Sequence, residues 1–385
     1  MVNRIISKEI LRLSEKLPVI TITGPRQSGK TTLVKQIFKN YTYINLEDAA
    51  IRDFAKQDII GFFQKYNSKI IIDEAQNVPE IFSQIQTIVD NSKEKGQFIL
   101  TGSQNFLLLE KISQSLAGRT AIFNLLPFSV NELKNTKYHN IKYEQYIQKG
   151  FYPRLYDENL NPEDWLPDYI NTYIERDVRK IINVSDLNRF RAFLKICAGH
   201  TGQIINLSKI GNEVGISHNT AQKWLSVLET SFIIFFLHPY YKNFNKRIIK
   251  SPKLYFYDTG LACSLMNIRN AEQLDYHFAK GSLFETFIIS EIKKQKFNGL
   301  LQGDIYFWRE SNNNEIDCII DSGNKLKAIE IKSGRTIRSD FFKNLTFFKN
   351  ITKNIDTETF LVYGGDEIQE RTEHTVLNWQ NTELI

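Results

Sequence analysis

Cysteine is scarce in this chain: three in 385 residues, Cys197, Cys263 and Cys318, none in a C-x-x-C pair. An odd number so widely spaced supports neither a disulfide framework nor a zinc knuckle, and it predicts a reducing, cytoplasmic setting. Long apolar runs are missing as well. The strongest, 232–237, is far too short to span a bilayer. The start of the chain carries Arg4, Lys8, Glu9, Arg12, Glu15 and Lys16, where a signal peptide needs an uninterrupted apolar stretch. There is no low-complexity tract and no repeat of fixed period. What is left is a globular composition, 42% hydrophobic and 24% charged, with apolar material for more than one core. The length predicts two or three domains of roughly 100–200 residues each. A soluble chain without membrane association is expected.

The net charge of +6 is unevenly placed. Ten Lys and Arg residues lie in 187–255 against only Glu213 and Glu229, so this segment is +8 while the remainder, 39 basic against 41 acidic, is −2. A basic balance concentrated in one segment is the footprint expected of a nucleic-acid binder.

The most specific motif comes early. Val19–Thr23 (VITIT) is a β-branched run suited to a buried parallel strand. It leads into Gly24-Pro25-Arg26-Gln27-Ser28-Gly29-Lys30-Thr31-Thr32, a full match to G-x-x-x-x-G-K-[ST]. Leu33, Val34, Ile37 and Phe38 then recur at helical spacing. Strand, glycine loop and helix predict a phosphate cradle for ATP: backbone N–H groups turn inward, and the helix N-terminus adds its positive dipole end. Lys30 is expected at the β- and γ-phosphates and Thr31 on Mg²⁺.

Ile70-Ile71-Ile72 ends in Asp73-Glu74. This predicts Asp73 as a second holder of Mg²⁺, through water, and Glu74 as the group that orients the attacking water. Phe98-Ile99-Leu100 ends in Thr101-Gly102-Ser103-Gln104. Ser103 is the candidate sensor of the γ-phosphate, with Gln104 behind it, and a helix-capping serine is the competing reading. Asp58-Ile59-Ile60-Gly61 fits the D-x-x-G of a GTPase, but it falls in 53–66, which reads as an amphipathic helix. No N-K-x-D follows anywhere, so adenine is favoured.

In the basic segment, 207–214 reads as a short helix, Gly215 breaks it, and Ser217 caps a second helix reaching residue 229. Helix, glycine turn, helix predicts a helix-turn-helix. His218, Asn219, Gln222 and Lys223 are then the candidate base-reading side chains. Two β-rich runs follow, 232–241 and 248–256. The link between them holds Lys246 and Arg247, as in the tip of a wing touching phosphates. Duplex DNA is the predicted partner. Docking of a protein partner stays open, since the same fold and charge serve both.

The last third predicts a helix over 281–294 bearing Glu285, then strands over 304–309, 315–320 and 326–332. Polar turns join these strands, and a further strand covers 359–363. Alternation puts Glu330 and Lys332 on one face of their strand. Asp317 on the neighbouring strand and Glu285 on the helix complete a cluster that can hold a divalent ion, with Lys332 steadying its water. Glu315 is a spare acid. A salt-bridged sheet without chemistry is the alternative.

The stretches GPRQSGKTT, IIIDEAQ, ILTGSQ and SLAGRTAIFNLLPFS resemble a prokaryotic family of AAA-type ATPases that carries a C-terminal domain of unknown function. YIERDV, SPKLYFYDTGLA, GSLFETFI and AIEIKSG fit the same family, so the resemblance spans nearly the whole chain. It implies an arginine acting at the γ-phosphate, matched by Arg119 in LAGRT and less closely by Arg176 in ERDV. Whether either acts within one chain or across a homo-oligomer boundary stays open. The D-x(n)-E-x-K arrangement resembles the PD-(D/E)XK nuclease superfamily, with Asp317, Glu330 and Lys332 on its signature positions and Glu285 on the helix acid. The expected fold class is α/β: a parallel-sheet P-loop core (1–130), a helical connector (131–186), a winged helix (187–270) and a nuclease-like α/β domain (271–385).

Overall fold

The computed structural model describes residues 2–103, 114–139, 141–174, 187–241, 251–311 and 314–385. They form two compact units: Met1–Phe128 with the short stretches Thr230–Phe232 and Phe297–Gly299, and the rest of the chain from Ser129 onward. No helix among the described residues is long and apolar enough to cross a membrane. All three cysteines are free and buried.

The first unit is built on five parallel strands: β1 (Val19–Thr23), β2 (Thr42–Asn45), β3 (Ile70–Asp73), β4 (Phe98–Gly102) and β5 (Thr120–Asn124), in the order β2-β3-β4-β1-β5. The central strands are apolar throughout because helices cover both faces, and side-chain alternation divides them between two cores. Val19, Ile70, Ile72, Phe98 and Leu100 pack with Phe62, Phe82 and Ile85 on one side. Ile20, Ile22, Ile71 and Ile99 pack with Ile6, Ile10, Leu33 and Val34 on the other. The fold class read from the sequence is borne out here. One local detail differs: 53–66 is two helices, Ala49–Gln57 and Ile59–Lys65, broken at Asp58. The Asp58 carboxylate accepts the Gly61 N–H at 2.8 Å, so this D-x-x-G is a helix cap.

The second unit holds a three-stranded and a six-stranded sheet. In the first, β6 (Gln203–Ile204), β8 (Lys253–Phe256) and β7 (Ile234–Leu237) lie in that order, antiparallel. The helices Leu187–Gly199, Leu207–Val214 and His218–Thr230 precede β7 in the chain. Gly215 ends the second of these at φ 74°, a left-handed conformation in which glycine carries no Cβ penalty.

The larger, mixed sheet contains β9 (Asp304–Arg309), β10 (Glu315–Asp321), β11 (Lys325–Lys332), β12 (Asp356–Tyr363), β13 (Gln369–Glu370) and β14 (Thr375–Asn378). β9, β10 and β11 form an antiparallel meander, and β12 and β14 continue parallel to β11. Leu345 and Phe348 of the helix Lys343–Ile351 pack on Trp308, Ile319, Leu326 and Leu361. The three-stranded sheet is fastened to the meander at Tyr240, whose N–H donates to the Phe307 carbonyl at 2.8 Å.

The helix Lys280–Phe297 is buried along most of its length and carries an ion pair inside the core. Lys294 donates to Glu291 at 2.7 Å, with both side chains at most 3% exposed. Glu291 also accepts the Val130 N–H at 2.8 Å, and the Lys294 ammonium lies 3.9 Å from the centre of the Phe151 ring. Removing one partner of such a pair leaves an uncompensated charge in low dielectric. Lys294→Met is therefore expected to destabilise the protein by about 3–5 kcal/mol. Glu291→Gln combined with Lys294→Met should recover most of that loss in denaturant titrations, because both charges are then gone.

Candidate nucleotide site and acid cluster

The phosphate loop leaves the carboxyl end of β1 and opens the helix Lys30–Ile37. Gly24, at φ 147°, lies against the next strand's exit: a Cβ there collides with the Leu125 carbonyl oxygen. Gly29, at φ 92°, starts the helix. Lys30 is buried and its ammonium donates across the loop to the carbonyls of Gly24 (2.9 Å) and Pro25 (2.8 Å). The Ser28 and Thr23 hydroxyls are buried in or beside the loop without a hydrogen-bond partner among the described residues, donors and acceptors open to a ligand. Sequence reasoning missed Arg4, which carries no motif. Its guanidinium braces the loop from behind, donating to the Ser28 carbonyl at 2.9 Å and the Leu126 carbonyl at 2.5 Å.

β4 lies between β1 and β3, so the polar ends of the three strands meet beside the loop. The Thr31 hydroxyl donates to Oδ2 of Asp73 at 2.7 Å. The two hard oxygen groups therefore stand where Mg²⁺ can be held at a helix N-terminus, and the donor set fits that ion. Oδ1 of Asp73 accepts the Thr101 hydroxyl and the Glu74 N–H. Glu74 itself has φ 52°, a left-handed conformation that costs a non-glycine residue about 1–3 kcal/mol. Its Oε2 accepts from the Ser103 hydroxyl at 3.1 Å and from the Gln76 amide. Thr101, Gln76 and Tyr43, which donates to Asp73 Oδ2 at 2.7 Å, were not singled out from the sequence. Their proximity depends on strand register, although Gln76 lies inside the quoted DEAQ run.

Arg119, expected at the γ-phosphate within one chain or across a homo-oligomer boundary, lies at the opposite end of the sheet from the loop of its own chain. Its neighbour Thr120 pairs with Val19, the first residue of β1, whereas the phosphate loop follows Thr23 at the other end. That places Arg119 roughly 16 Å away along the strand direction, bonded to Asp90 at 2.6 and 2.9 Å, and it does not serve the loop of its own chain. Gln104, Arg176, Lys246 and Arg247 lie outside the described residues.

On the helix His218–Thr230, the side chains His218, Asn219, Gln222 and Lys223 are exposed while Ala221, Trp224, Leu225 and Leu228 are buried. Ser217 accepts the Thr220 N–H at 3.1 Å, capping the helix. The basic balance of the segment needs discounting, because Lys253 is 3% exposed and faces inward.

That lysine reshapes the acid cluster. Lys253, on β8, donates to Glu285 at 2.9 Å and pairs with Glu315 as well. Tyr255 donates to the same Glu285 oxygen at 2.5 Å. A register irregularity in β10 between Ile316 and Ile319 brackets Asp317, whose Oδ2 accepts the Ile331 N–H at 2.8 Å. Lys332 donates to Glu330 at 2.6 Å and stands 3.7 Å from Asp317. Among the described residues no three acids form a set that could hold a metal. Glu285, Asp317, Glu330 and Lys332, expected as a metal centre with its lysine or as a salt-bridged sheet, are brought together and joined with Lys253 in a buried ion-pair network. Lys253, 32 residues upstream of Glu285, supplies a cation to this network from another sheet. Glu315, expected beside Asp317, is spent on Lys253 and Arg309. Glu330 is 4% exposed, and its second oxygen has no partner among the described residues. Burial, with Asp317 adding to it, pushes its pKa up to about 8.

Comparison with known proteins divides the chain in three. Residues 16–134 match the family described as AAA domain, 140–272 a domain of unknown function (DUF8612), and 280–382 a domain of unknown function (DUF4143). The first unit thus has the parallel-sheet α/β core typical of P-loop ATPases and a match to the AAA domain, and a mixed-sheet C-terminal α/β domain follows it. An uncharacterized protein of Mycobacterium tuberculosis is 26% identical over 327 residues, 84% of this chain and 72% of that one. One of Haemophilus influenzae is 25% identical over 288 residues, 66% of this chain and 70% of that one. Among solved structures, a Walker-type ATPase of Pyrococcus abyssi aligns with TM-score 0.45 at 16% identity, covering 68% of this chain and 94% of that one.

The Glu330 carboxyl yields a pH prediction. The folded state keeps its proton to about pH 8, while the unfolded chain releases it near the ordinary carboxylate range. The associated stability is full below that range and is lost as pH rises through about 8. Glu330→Gln removes the titration. The wild type should therefore lose thermal stability relative to the variant between about pH 5 and about pH 8.5, with or without millimolar Mg²⁺. Stabilisation of the wild type alone by Mg²⁺ would instead support a metal centre at this cluster.

Proposed function

We propose that this chain binds and hydrolyses ATP at the phosphate loop and uses its second unit to engage duplex DNA, with nucleotide state governing that engagement. One arrangement carries the reading. Lys30, Thr31, Asp73, Glu74 and Ser103 converge at the carboxyl ends of β1, β3 and β4, beside the buried Ser28 and Thr23 hydroxyls, which have no partner among the described residues. Nucleotides bind at this edge of parallel sheets. Lys30 holds the β- and γ-oxygens in exchange for the two carbonyls it now meets. Thr31 and Asp73 hold Mg²⁺, which neutralises charge on the phosphates. Glu74 orients the attacking water, and Ser103 fixes the Glu74 carboxylate.

The DNA reading is supported by the exposed row His218, Asn219, Gln222 and Lys223 at the start of a capped helix, in a helix-turn-helix arrangement with an antiparallel ribbon beyond it. A second reading draws support from the neutralised acid cluster: a nucleotide-dependent switch that docks a protein partner, its C-terminal acids serving structure.

Lys30→Ala should abolish ATP turnover, and unchanged turnover would overturn the assignment. Glu74→Gln should slow hydrolysis while leaving ATP binding within about threefold of wild type, because the phosphate cradle is untouched. Turnover in Mg²⁺ with and without duplex DNA at moderate salt separates the two readings. Stimulation that is lost in a Gln222→Ala, Lys223→Ala variant supports DNA engagement, and indifference to DNA supports the partner-docking switch.

A further inference from the structure

We propose that Tyr43 is a positioning residue for Mg²⁺ at the phosphate loop; the inference rests on the nucleotide-binding reading above. Tyr43 is on β2, at the edge of the sheet, in register with Ile71, two residues short of Asp73. Its ring packs among the apolar side chains that include Ile22, Val34 and Ile71, and its hydroxyl extends along the strand direction to Asp73 Oδ2 at 2.7 Å. Lys35, from the phosphate-loop helix, places its ammonium 3.5 Å from the ring centre. The side chain is thus held from both sides.

The hydroxyl matters because of which oxygen it meets. Oδ1 of Asp73 is committed to Thr101 and the Glu74 N–H. Among the described residues Oδ2 accepts the hydroxyls of Thr31 and Tyr43, and it is the oxygen on the Thr31 side, where a metal-bound water would donate. When the Thr31 oxygen serves as a metal ligand, Tyr43 remains the fixed donor that keeps Oδ2 oriented. Tyr43 touches neither nucleotide nor reacting atoms in this scheme and acts through Asp73.

Tyr43→Phe in the full chain removes the O–H and keeps the ring and its Lys35 contact. Binding of a fluorescent ATP analogue is measured in EDTA and across a Mg²⁺ titration, and Mn²⁺ affinity of the protein–ATP complex is read by electron paramagnetic resonance. The expected result is EDTA-state nucleotide affinity within about twofold of wild type and metal affinity weakened about tenfold, the loss of one hydrogen bond to a charged group. Tyr43→Leu, which also deletes the ring, should weaken metal binding by the same factor and additionally lower thermal stability. Unchanged metal affinity in a folded Tyr43→Phe protein, or weakening only in Tyr43→Leu, overturns the proposal and leaves Tyr43 as packing. Failure of the wild type to bind the analogue in any condition overturns the nucleotide reading itself, and the proposal with it.

Discussion

The Asp73 carboxylate is the point on which the first unit is organised. It accepts hydrogen bonds from the helix after the phosphate loop, from β2, from β4 and from the backbone of its own strand's exit. Four donors on one buried carboxylate tie together elements that otherwise share only backbone ladders and apolar contacts. A net hydrogen bond to a charged group contributes roughly 1.5–3 kcal/mol, so the set helps hold the strand ends in place. The left-handed Glu74, next in the chain, is supported by the same set: its N–H faces Oδ1, and its side chain is caught by Ser103 and Gln76. Backbone strain of this kind persists where neighbours over-determine it.

What could be read from the sequence was what lies within one local segment. A glycine loop between a β-branched strand and a helix fixes its own geometry, so the phosphate cradle was legible before any strand partner was known. The acids ending β3 and the serine after β4 were legible because apolar runs bounded them. Arg119 was not, since its place depends on pairing Val19 with Thr120, a register no local pattern encodes. Tyr43 and Thr101 were invisible for a related reason. Each is an ordinary strand residue until the order β2-β3-β4 brings it to Asp73. The acid cluster was legible only in part. The strands and their acids were legible, with Glu330 and Lys332 on one face, but the neutralising lysine comes from a segment where it counted as surface charge.

Charge counted along a chain and charge presented to solvent are different quantities. In the basic segment, Lys253 is enclosed between two carboxylates, and Arg189 is turned toward the Gly215 carbonyl at 3.3 Å, at the turn between the two helices. The exposed row on the helix His218–Thr230 is correspondingly more polar than cationic, with Lys223 its one basic side chain between residues 218 and 223. Such a surface suits recognition through hydrogen bonds on base edges or on a partner's polar groups more than charge-driven attachment alone.

Lys253 has a bearing on inheritance. It stands in the stretch 140–272, while Glu285 and Glu315, the carboxylates it neutralises, stand in 280–382. The border between two sequence families thus runs through a buried ion network. A recombination event exchanging either half for an unrelated one strands a carboxylate or an ammonium away from water, at a cost of several kcal/mol. The two segments are expected to travel through evolution as one cargo, with substitutions at position 253 answered at 285 or 315, whatever becomes of the P-loop domain ahead of them.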